Sequence, residues 1–238
     1  RQRSLTIQPD QVSNSMVQFA FFGVFLGGRL GYQLLYNFDA FIANPLTLLK
    51  IWEGGMASHG GFVGSILFLI WYAKKYHLSF WNISDHLAIT ASLGIGFGRI
   101  ANFINGELWG RASDMKWAVI FPQEMGLRFG AYNRAMVEQL VASGQLVPRH
   151  PSQLYQAACE GFLIFGLMLA LRSTNWGKKP GAASAAYLML YATARIAMEC
   201  FREPDSTVYF DLITKGQFYS LGMLLAGGLI LIRKKKCS

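Results

Sequence analysis

Three arginines stand deep in otherwise apolar runs of the sequence: Arg29, Arg99 and Arg195. A charged side chain at the centre of a bilayer costs about 2.5–3.5 kcal/mol on insertion scales, so each arginine needs a compensating partner. Small residues precede each of them, which leaves room for a neighbouring helix or for a ligand. Guanidinium groups bind phosphate in a bidentate geometry, and the phosphate available within a membrane belongs to a phospholipid headgroup. The three arginines therefore favour a site for an anionic lipid.

A structural explanation is that the arginines form ion pairs inside a helix bundle. Glu199 follows Arg195 by four residues and shares its helix face, and Glu160 and Glu107 are the candidate partners of another arginine. Apart from Asp85 at the first turn of the segment 84–104, the carboxylates within apolar segments are Glu160 and Glu199, so three buried cations outnumber these two carboxylates. The surplus positive charge favours an anionic ligand over ion pairing alone.

His59 stands at the start of an apolar segment, directly before Gly60 and Gly61. A neutral histidine at a membrane interface can act as a general base near pH 7. The alternative is a histidine that hydrogen-bonds at a helix end, and the residues alone leave both interpretations open.

The segment 94–111, GIGFGRIANFINGELWGR, places several polar residues together. Arg99 and Asn102 are three residues apart and share a helix face, so their donors can converge on one anion. The pair Asn105–Gly106 predicts the end of this helix and leaves Glu107 at the membrane surface. The glycines are not a dinucleotide-binding fingerprint, because no strand precedes them.

The sequence lacks the motifs of metal-dependent, nucleotide-binding and serine-nucleophile enzymes. There is no HExxH, P-loop, nucleophile elbow or metal-binding pair of histidines, and the three cysteines are far apart, so we expect no metal and no cofactor. No side chain resembles an activated nucleophile. If the protein is an enzyme, the nucleophile arrives with a substrate.

The elements that must position these residues are membrane helices. Hydrophobic residues make up 53% of the 238 residues and charged residues only 15%, against roughly 25% charged in a soluble domain. This composition predicts an all-α integral membrane protein that forms a single polytopic domain over 1–238. Its six predicted transmembrane helices are 16–36, 56–73, 84–104, 154–172, 181–201 and 215–233.

The distribution of lysine and arginine predicts the orientation. One set of connections (1–15, 74–83, 172–180 and 233–238) carries eleven of these residues, and the other, longer set carries seven. The positive-inside rule places the first set, with the C-terminus, in the cytoplasm. Residues 105–153 then form a small extracytoplasmic head. The net charge of +9 is assigned to orientation, since no nucleic-acid-binding motif accompanies it.

The motifs together resemble those of one enzyme family. The pattern GR-x-x-NFINGE-x-x-G spans 98–110, HGG spans 59–61, RHPSQLY spans 149–155, and the segment 191–202 also matches. In these motifs, and over essentially its whole length, the chain resembles the phosphatidylglycerol–prolipoprotein diacylglyceryl transferases.

The resemblance implies a multi-pass enzyme of the bacterial plasma (inner) membrane, in the bilayer. Such an enzyme transfers the diacylglyceryl group of phosphatidylglycerol to the lipobox cysteine thiol in the signal peptide of a prolipoprotein, forming a thioether and releasing glycerol phosphate. The resemblance also implies seven spans in the full protein, the first of them absent from this chain. A small anion channel or transporter, or a non-catalytic phospholipid-binding protein, is the alternative.

The resemblance also implies the site residues. Those that match the family's functional positions are His59, Arg99, Asn102, Glu107, Gly110, Arg195, Glu199 and Arg202, with Tyr32, Tyr191 and Arg29 as further candidates. We expect His59, Arg99, Arg195 and Glu107 to be catalytic and the others to bind substrate, with Arg99 serving both roles. Two departures from the family pattern are Ala101 in place of glycine and Gln156 in place of glutamate.

Overall fold

A computed structural model describes residues 9–50, 52, 54–128, 130–203 and 214–235, without the side chains of 9–13, 58–59, 215 and 233–235. The described residues are predominantly helical and contain no extended strand, only isolated bridging pairs. The α-helices are α1 Pro9–Gln18, α2 Leu26–Leu35, α3 Phe38–Ala43, α4 Ser58–Lys75, α5 Phe80–Asn105, α6 Arg134–Ala142, α7 Ser152–Gln156, α8 Ile164–Ser173, α9 Ala182–Met198 and α10 Lys215–Lys235. Two π-helical stretches, Phe19–Phe25 and Ala157–Leu163, join α1 to α2 and α7 to α8.

The helical fold class predicted from the sequence is confirmed. All six predicted apolar segments lie on helices, and the helices at 80–105 and 152–173 are long and apolar enough to cross a membrane. A further apolar stretch, 216–232, is shorter. That all six segments span a membrane stays a prediction.

The chain divides into two compact units, residues 1–84 and 85–238. In the first unit, helices α2 and α4 meet at glycines. A Cβ atom on Gly60 would lie 2.3 Å from the carbonyl oxygen of Gly27, so only glycine permits this approach. The prediction of a single membrane domain over 1–238 remains a prediction.

In the second unit, a buried aspartate fixes where α9 begins. Asp85 of α5 accepts hydrogen bonds from the backbone N–H of Gly181 at 2.5 Å and from the N–H and hydroxyl of Ser184, both at 2.7 Å. The two backbone N–H groups belong to the N-cap residue and the first turn of α9, where N–H groups have no partner within the helix, so the carboxylate satisfies them as an N-cap side chain would. Ala88, Ile89, Ile164, Met168 and Ala183 form the apolar core beside this contact.

Further along the same unit, α5 and the π-helical stretch touch backbone to backbone. A Cβ atom on Gly161 would lie 2.3 Å from the Cα atom of Gly96. Gly96 is one turn before Arg99, and Gly161 directly follows Glu160. The prediction that small residues before Arg99 let a helix approach is therefore confirmed, and the approach brings an arginine and a glutamate together.

The segment 105–153, predicted as a head, contains α6, a short 3₁₀ turn at Pro122–Met125 and irregular backbone. Helix α5 ends at Asn105 as predicted, and Gly106 follows with φ of +65°. Arg149 holds the segment together. It pairs with Glu124 and Glu203, and the hydrogen bond to Glu124 raises the pKa of its guanidinium. The position of this segment outside the cytoplasm stays a prediction.

Candidate functional site

Arg99 and Glu160 form a buried ion pair at the Gly96–Gly161 contact. The Nη2 atom of Arg99 lies 3.1 Å from the Oε2 atom of Glu160, a residue 61 positions away in sequence. The side chain of Glu160 is fully buried, and that of Arg99 is 16% exposed. Arg99 is therefore the member of the pair that solvent or a ligand can reach.

Arg195 continues this network from α9. Its Nη1 atom lies 3.6 Å from the Oε1 atom of Glu160, and its Nη2 atom lies 3.1 Å from the Oε2 atom of Glu199. The predicted pairing of Arg195 with Glu199 one turn later is thus present. Glu160 stands between two arginines, so each guanidinium receives only part of its charge.

Arg202 adds a third positive charge. It is 8% exposed, and burial, followed by the positive charge of Arg195, lowers its pKa to about 10. It therefore remains protonated near pH 7. Among the charged side chains that the structure describes in this cluster, three arginines face two glutamates, which gives a net charge of +1.

Several buried polar atoms in and beside this cluster have no hydrogen-bond partner among the described residues. They include the Oε1 atom of Gln153 and both amide atoms of Gln156. The Oε1 atom of Glu160 and the Nη1 atom of Arg195 also lack a hydrogen bond, because their ion pair has a separation of 3.6 Å. Native proteins satisfy nearly all of their buried polar groups. We use the term arginine cluster for Arg99, Glu160, Arg195, Glu199 and Arg202. Within the described residues, the buried side-chain atoms that lack a hydrogen bond belong to this cluster and to the neighbouring Gln153 and Gln156.

Asn102 and Glu107 lie beside each other at the end of α5. The Asn102 Nδ2 atom donates to the Oε1 atom of Glu107 at 2.9 Å, and Asn105 donates to the same oxygen at 3.3 Å. The backbone oxygen of Glu107 accepts from the Nε2 atom of Gln153 at 2.7 Å. Asn102 thus holds the exposed Glu107 carboxylate, and its predicted convergence with Arg99 on one anion stays a prediction.

Gly110 is required by the backbone beside the arginine cluster. Its N–H donates to the oxygen of His150 at 3.0 Å, and it forms an isolated bridging pair with Arg202. A Cβ atom at this position would lie 2.5 Å from the oxygen of His150 and 2.6 Å from that of Phe201. Gly110 matches the family pattern, and the lack of space for a Cβ atom explains why glycine stands at this position.

Arg29 has different surroundings, which the first unit provides. It is 3% exposed, and its guanidinium donates to five backbone oxygens. These belong to Thr47, Leu48, Lys50, Gly54 and Gly55. All five N–H donors of arginine are thereby used. The ring of Tyr32 lies beside it, 5.9 Å from the guanidinium carbon.

His59 and Tyr191 complete the predicted set. The backbone of His59 lies in the first turn of α4, and its side chain lies outside the described part of the structure. Tyr191 lies on α9 within interaction range of Arg99, Glu160 and Arg195. The structure therefore brings Tyr191 to the arginine cluster, and the predicted role of His59 as a base stays a prediction.

Sequence reasoning considered Glu160 only as a possible ion-pair partner and overlooked both glutamines as site residues. The sequence did mark Glu160, because it is one of the few carboxylates inside the apolar segments. Gln153 and Gln156 had a weaker one. Together with Glu160 they recur three and four residues apart, which places all three on one helix face.

These features define the class of the protein: a helical protein with membrane-length apolar helices and a buried cluster of arginines and glutamates with surplus positive charge. Comparison with known proteins identifies the family. The profile of the prolipoprotein diacylglyceryl transferase family matches residues 1–233. The chain belongs to this family and is a transferase.

Individual relatives agree. A phosphatidylglycerol–prolipoprotein diacylglyceryl transferase of Aeromonas hydrophila is 42% identical over 222 residues, which cover 92% of this chain and 72% of the relative. The enzyme of the same name from Photorhabdus laumondii is 43% identical, over 94% of this chain and 77% of the relative. That of Pasteurella multocida is 43% identical, over 94% and 75% respectively.

Proposed function

We propose that this protein transfers the diacylglyceryl group of phosphatidylglycerol to the lipobox cysteine of a prolipoprotein. The observation that carries the proposal is the net charge of +1 in the buried arginine cluster. A phosphodiester carries one negative charge, which matches this surplus. The names of the relatives favour this transfer over a channel or a non-catalytic lipid-binding protein.

The cluster suits the charge that develops during the reaction. The cysteine sulfur forms a bond to the terminal glyceryl carbon of the diacylglyceryl group, and the bond from that carbon to the phosphate oxygen breaks. The departing glycerol phosphate keeps the electron pair, and its phosphate gains one negative charge. Arg99 and Arg195, held by Glu160, stabilise that charge from fixed positions in a water-poor site.

The thiol proton must leave as the sulfur attacks, because the thiolate is the nucleophile. We assign its removal to His59 and the orientation of the donor lipid to Asn102 and Glu107. Glu199 keeps Arg195 in place through the 3.1 Å pair between them.

The setting of the reaction is a membrane. We propose six spans for this chain in the bacterial inner membrane, with the C-terminus in the cytoplasm and residues 105–153 outside. The two long apolar helices and the distribution of lysine and arginine support this arrangement.

The test uses purified protein in vesicles that contain phosphatidylglycerol, with and without a lipobox peptide. We expect glycerol phosphate and a thioether-modified peptide in equal amounts, only when the peptide carries its cysteine. Glycerol phosphate release that is independent of the peptide, or no release from folded protein with the peptide, would contradict the proposal. Ion flux through the same vesicles would instead support a channel.

A further inference from the structure

Gln153 and Gln156 form an amide pair next to the arginine cluster. Both side chains are at most 1% exposed, and both precede Glu160 on the helix that continues from α7 into the π-helical stretch. Their spacing from Glu160 puts the three side chains on one face. The amide pair therefore extends the arginine cluster along one helix, within the second unit.

The amide pair retains hydrogen-bond donors and acceptors that have no partner among the described residues. Gln153 spends its Nε2 donor on the backbone oxygen of Glu107 and retains an acceptor, Oε1. Gln156 has neither its Nε2 donor nor its Oε1 acceptor paired among the described residues. Together they offer two acceptors and at least one donor, all buried. A buried, unpaired polar group costs about 1–3 kcal/mol, so this arrangement favours a polar ligand.

Two adjacent hydroxyl groups match this set. Each hydroxyl donates one hydrogen bond and accepts others, so a vicinal diol can donate to both glutamine oxygens and accept from the Gln156 amide. An ammonium group has three donors and no acceptor, and would leave the Gln156 N–H groups unpaired. It would also meet the surplus positive charge of the arginine cluster.

The spacing fits a headgroup as well. Gln156 and Glu160 are four residues apart, which is about one turn of the helix that passes from α7 into the π-helical stretch. This separation is comparable to that between the phosphate and the terminal diol of a glycerol headgroup. A phosphate held by Arg99 and Arg195 beside Glu160 would thus place the diol near Gln156.

We propose that Gln156, with Gln153, binds the vicinal hydroxyls of the glycerol headgroup and makes the site selective for a glycerol phosphodiester over other headgroups. The proposal rests on the proposed function, since it assigns part of the lipid to part of the same site. The two proposals can be tested separately, because a variant can lose its selectivity among headgroups and still transfer the diacylglyceryl group.

The experiment compares phosphatidylglycerol with phosphatidylpropanol, which has the same charge and lacks both hydroxyls. Transfer to a lipobox peptide is measured for the wild-type protein and for Gln156→Leu. We expect the wild-type kcat/KM to favour phosphatidylglycerol, and this preference to fall about tenfold in the variant, because one to two hydrogen bonds are lost. Gln156→Met, with an unbranched side chain, serves if the leucine variant does not fold.

Gln33→Leu is the matched control. Gln33 is also 1% exposed, and its amide is paired, with Nε2 donating to the oxygen of Thr47 at 3.1 Å. We expect Gln33→Leu to leave the headgroup preference unchanged.

An unchanged preference in both Gln156 variants would overturn the inference and leave the proposed function intact. No transfer from either lipid by folded wild-type protein would instead overturn the proposed function. A purely structural Gln156 would alter thermal stability without altering the preference.

Discussion

Arg29 and Arg195 are both buried arginines in apolar runs, and their surroundings differ completely. Arg29 uses its five donors on backbone oxygens of residues 47–55. Arg195 faces two carboxylates at 3.1 and 3.6 Å in a cluster that keeps a surplus positive charge. Burial of an arginine therefore does not by itself indicate a ligand site. The groups that accept hydrogen bonds from the arginine, backbone oxygens or carboxylates, distinguish a structural arginine from one in a ligand site.

The two arrangements have different physical consequences. Backbone carbonyls saturate the donors of Arg29, so no N–H group is left for a phosphate, and the guanidinium instead fixes the loop that leads towards α4. In and beside the arginine cluster, buried donors and acceptors lack hydrogen bonds, and burial, followed by the positive charge of Arg195, lowers the pKa of Arg202 to about 10. The first arrangement stabilises a fold, and the second is suited to binding an anion.

The largest expected effect is on turnover when the arginine cluster loses a donor. Arg99→Gln should lower kcat/KM for diacylglyceryl transfer by about 10³-fold, since preorganised charge at a leaving group typically contributes this much. Glycerol phosphate release in vesicles measures it. A folded variant with activity within tenfold of the wild type would show that Arg99 is a structural ion-pair partner like any other.

Arg29→Lys should act on stability instead. A lysine has three donors and cannot reach five acceptors in a fixed geometry, so about 2–4 kcal/mol of unfolding free energy should be lost from unpaired carbonyls. Chemical denaturation in detergent measures the loss. The KM for phosphatidylglycerol of the folded fraction should stay within about twofold of the wild type. A large rise in KM would make Arg29 a substrate-binding residue.

Gly110→Ala tests whether the backbone beside the arginine cluster is as tightly constrained as the loop around Arg29. The added methyl group would overlap the oxygens of His150 and Phe201, at 2.5 and 2.6 Å. We expect a loss of roughly 1–3 kcal/mol, as for other overpacked positions, together with reduced transfer because Arg202 shifts. Full stability and activity would mean that this contact relaxes without consequence.

The pH dependence of lipid binding provides a smaller test. A cation with a pKa lowered to about 10 is charged at neutral pH and loses its charge as the pH rises through that value. Affinity for phosphatidylglycerol should therefore be level around neutral pH and weaken several-fold near pH 10. Arg202→Gln should bind more weakly at neutral pH and lack this step. An identical pH profile in wild type and variant would remove Arg202 from the anion site.

The smallest effect is expected at a solvent-exposed ion pair on α6. Arg134 and Glu138 form an exposed pair on α6 with a 2.7 Å separation. Arg134→Gln should change stability by about 0.5 kcal/mol or less and leave transfer unchanged, because solvent screens such pairs. Thermal denaturation and the vesicle assay check this control. A marked loss of activity would indicate a role that the local contacts do not explain.

The sequence predicted those features that depend on local spacing. The pairing of Arg195 with Glu199 follows from a separation of four residues, and the end of α5 follows from Asn105–Gly106. The partner of Arg99 is 61 residues away in sequence, and local spacing cannot predict such a pair. The count of charges made Glu160 a candidate, and the contact between Gly96 and Gly161 explains why the two side chains lie close together. The acceptors of Arg29 are backbone oxygens, which every residue has, so the residue types could not predict them.

The central claim is that the arginine cluster holds the phosphate of phosphatidylglycerol and that Arg29 does not. Its most direct test is the binding of fluorescent phosphatidylglycerol to Arg195→Gln and Arg29→Lys proteins, each confirmed as folded, in nanodiscs of a zwitterionic lipid. We predict at least about 100-fold weaker binding for Arg195→Gln, because charge-assisted hydrogen bonds contribute about 1.5–3 kcal/mol each, and binding within about twofold of wild type for Arg29→Lys. Wild-type affinity in Arg195→Gln, or equal losses in both variants, would contradict the claim.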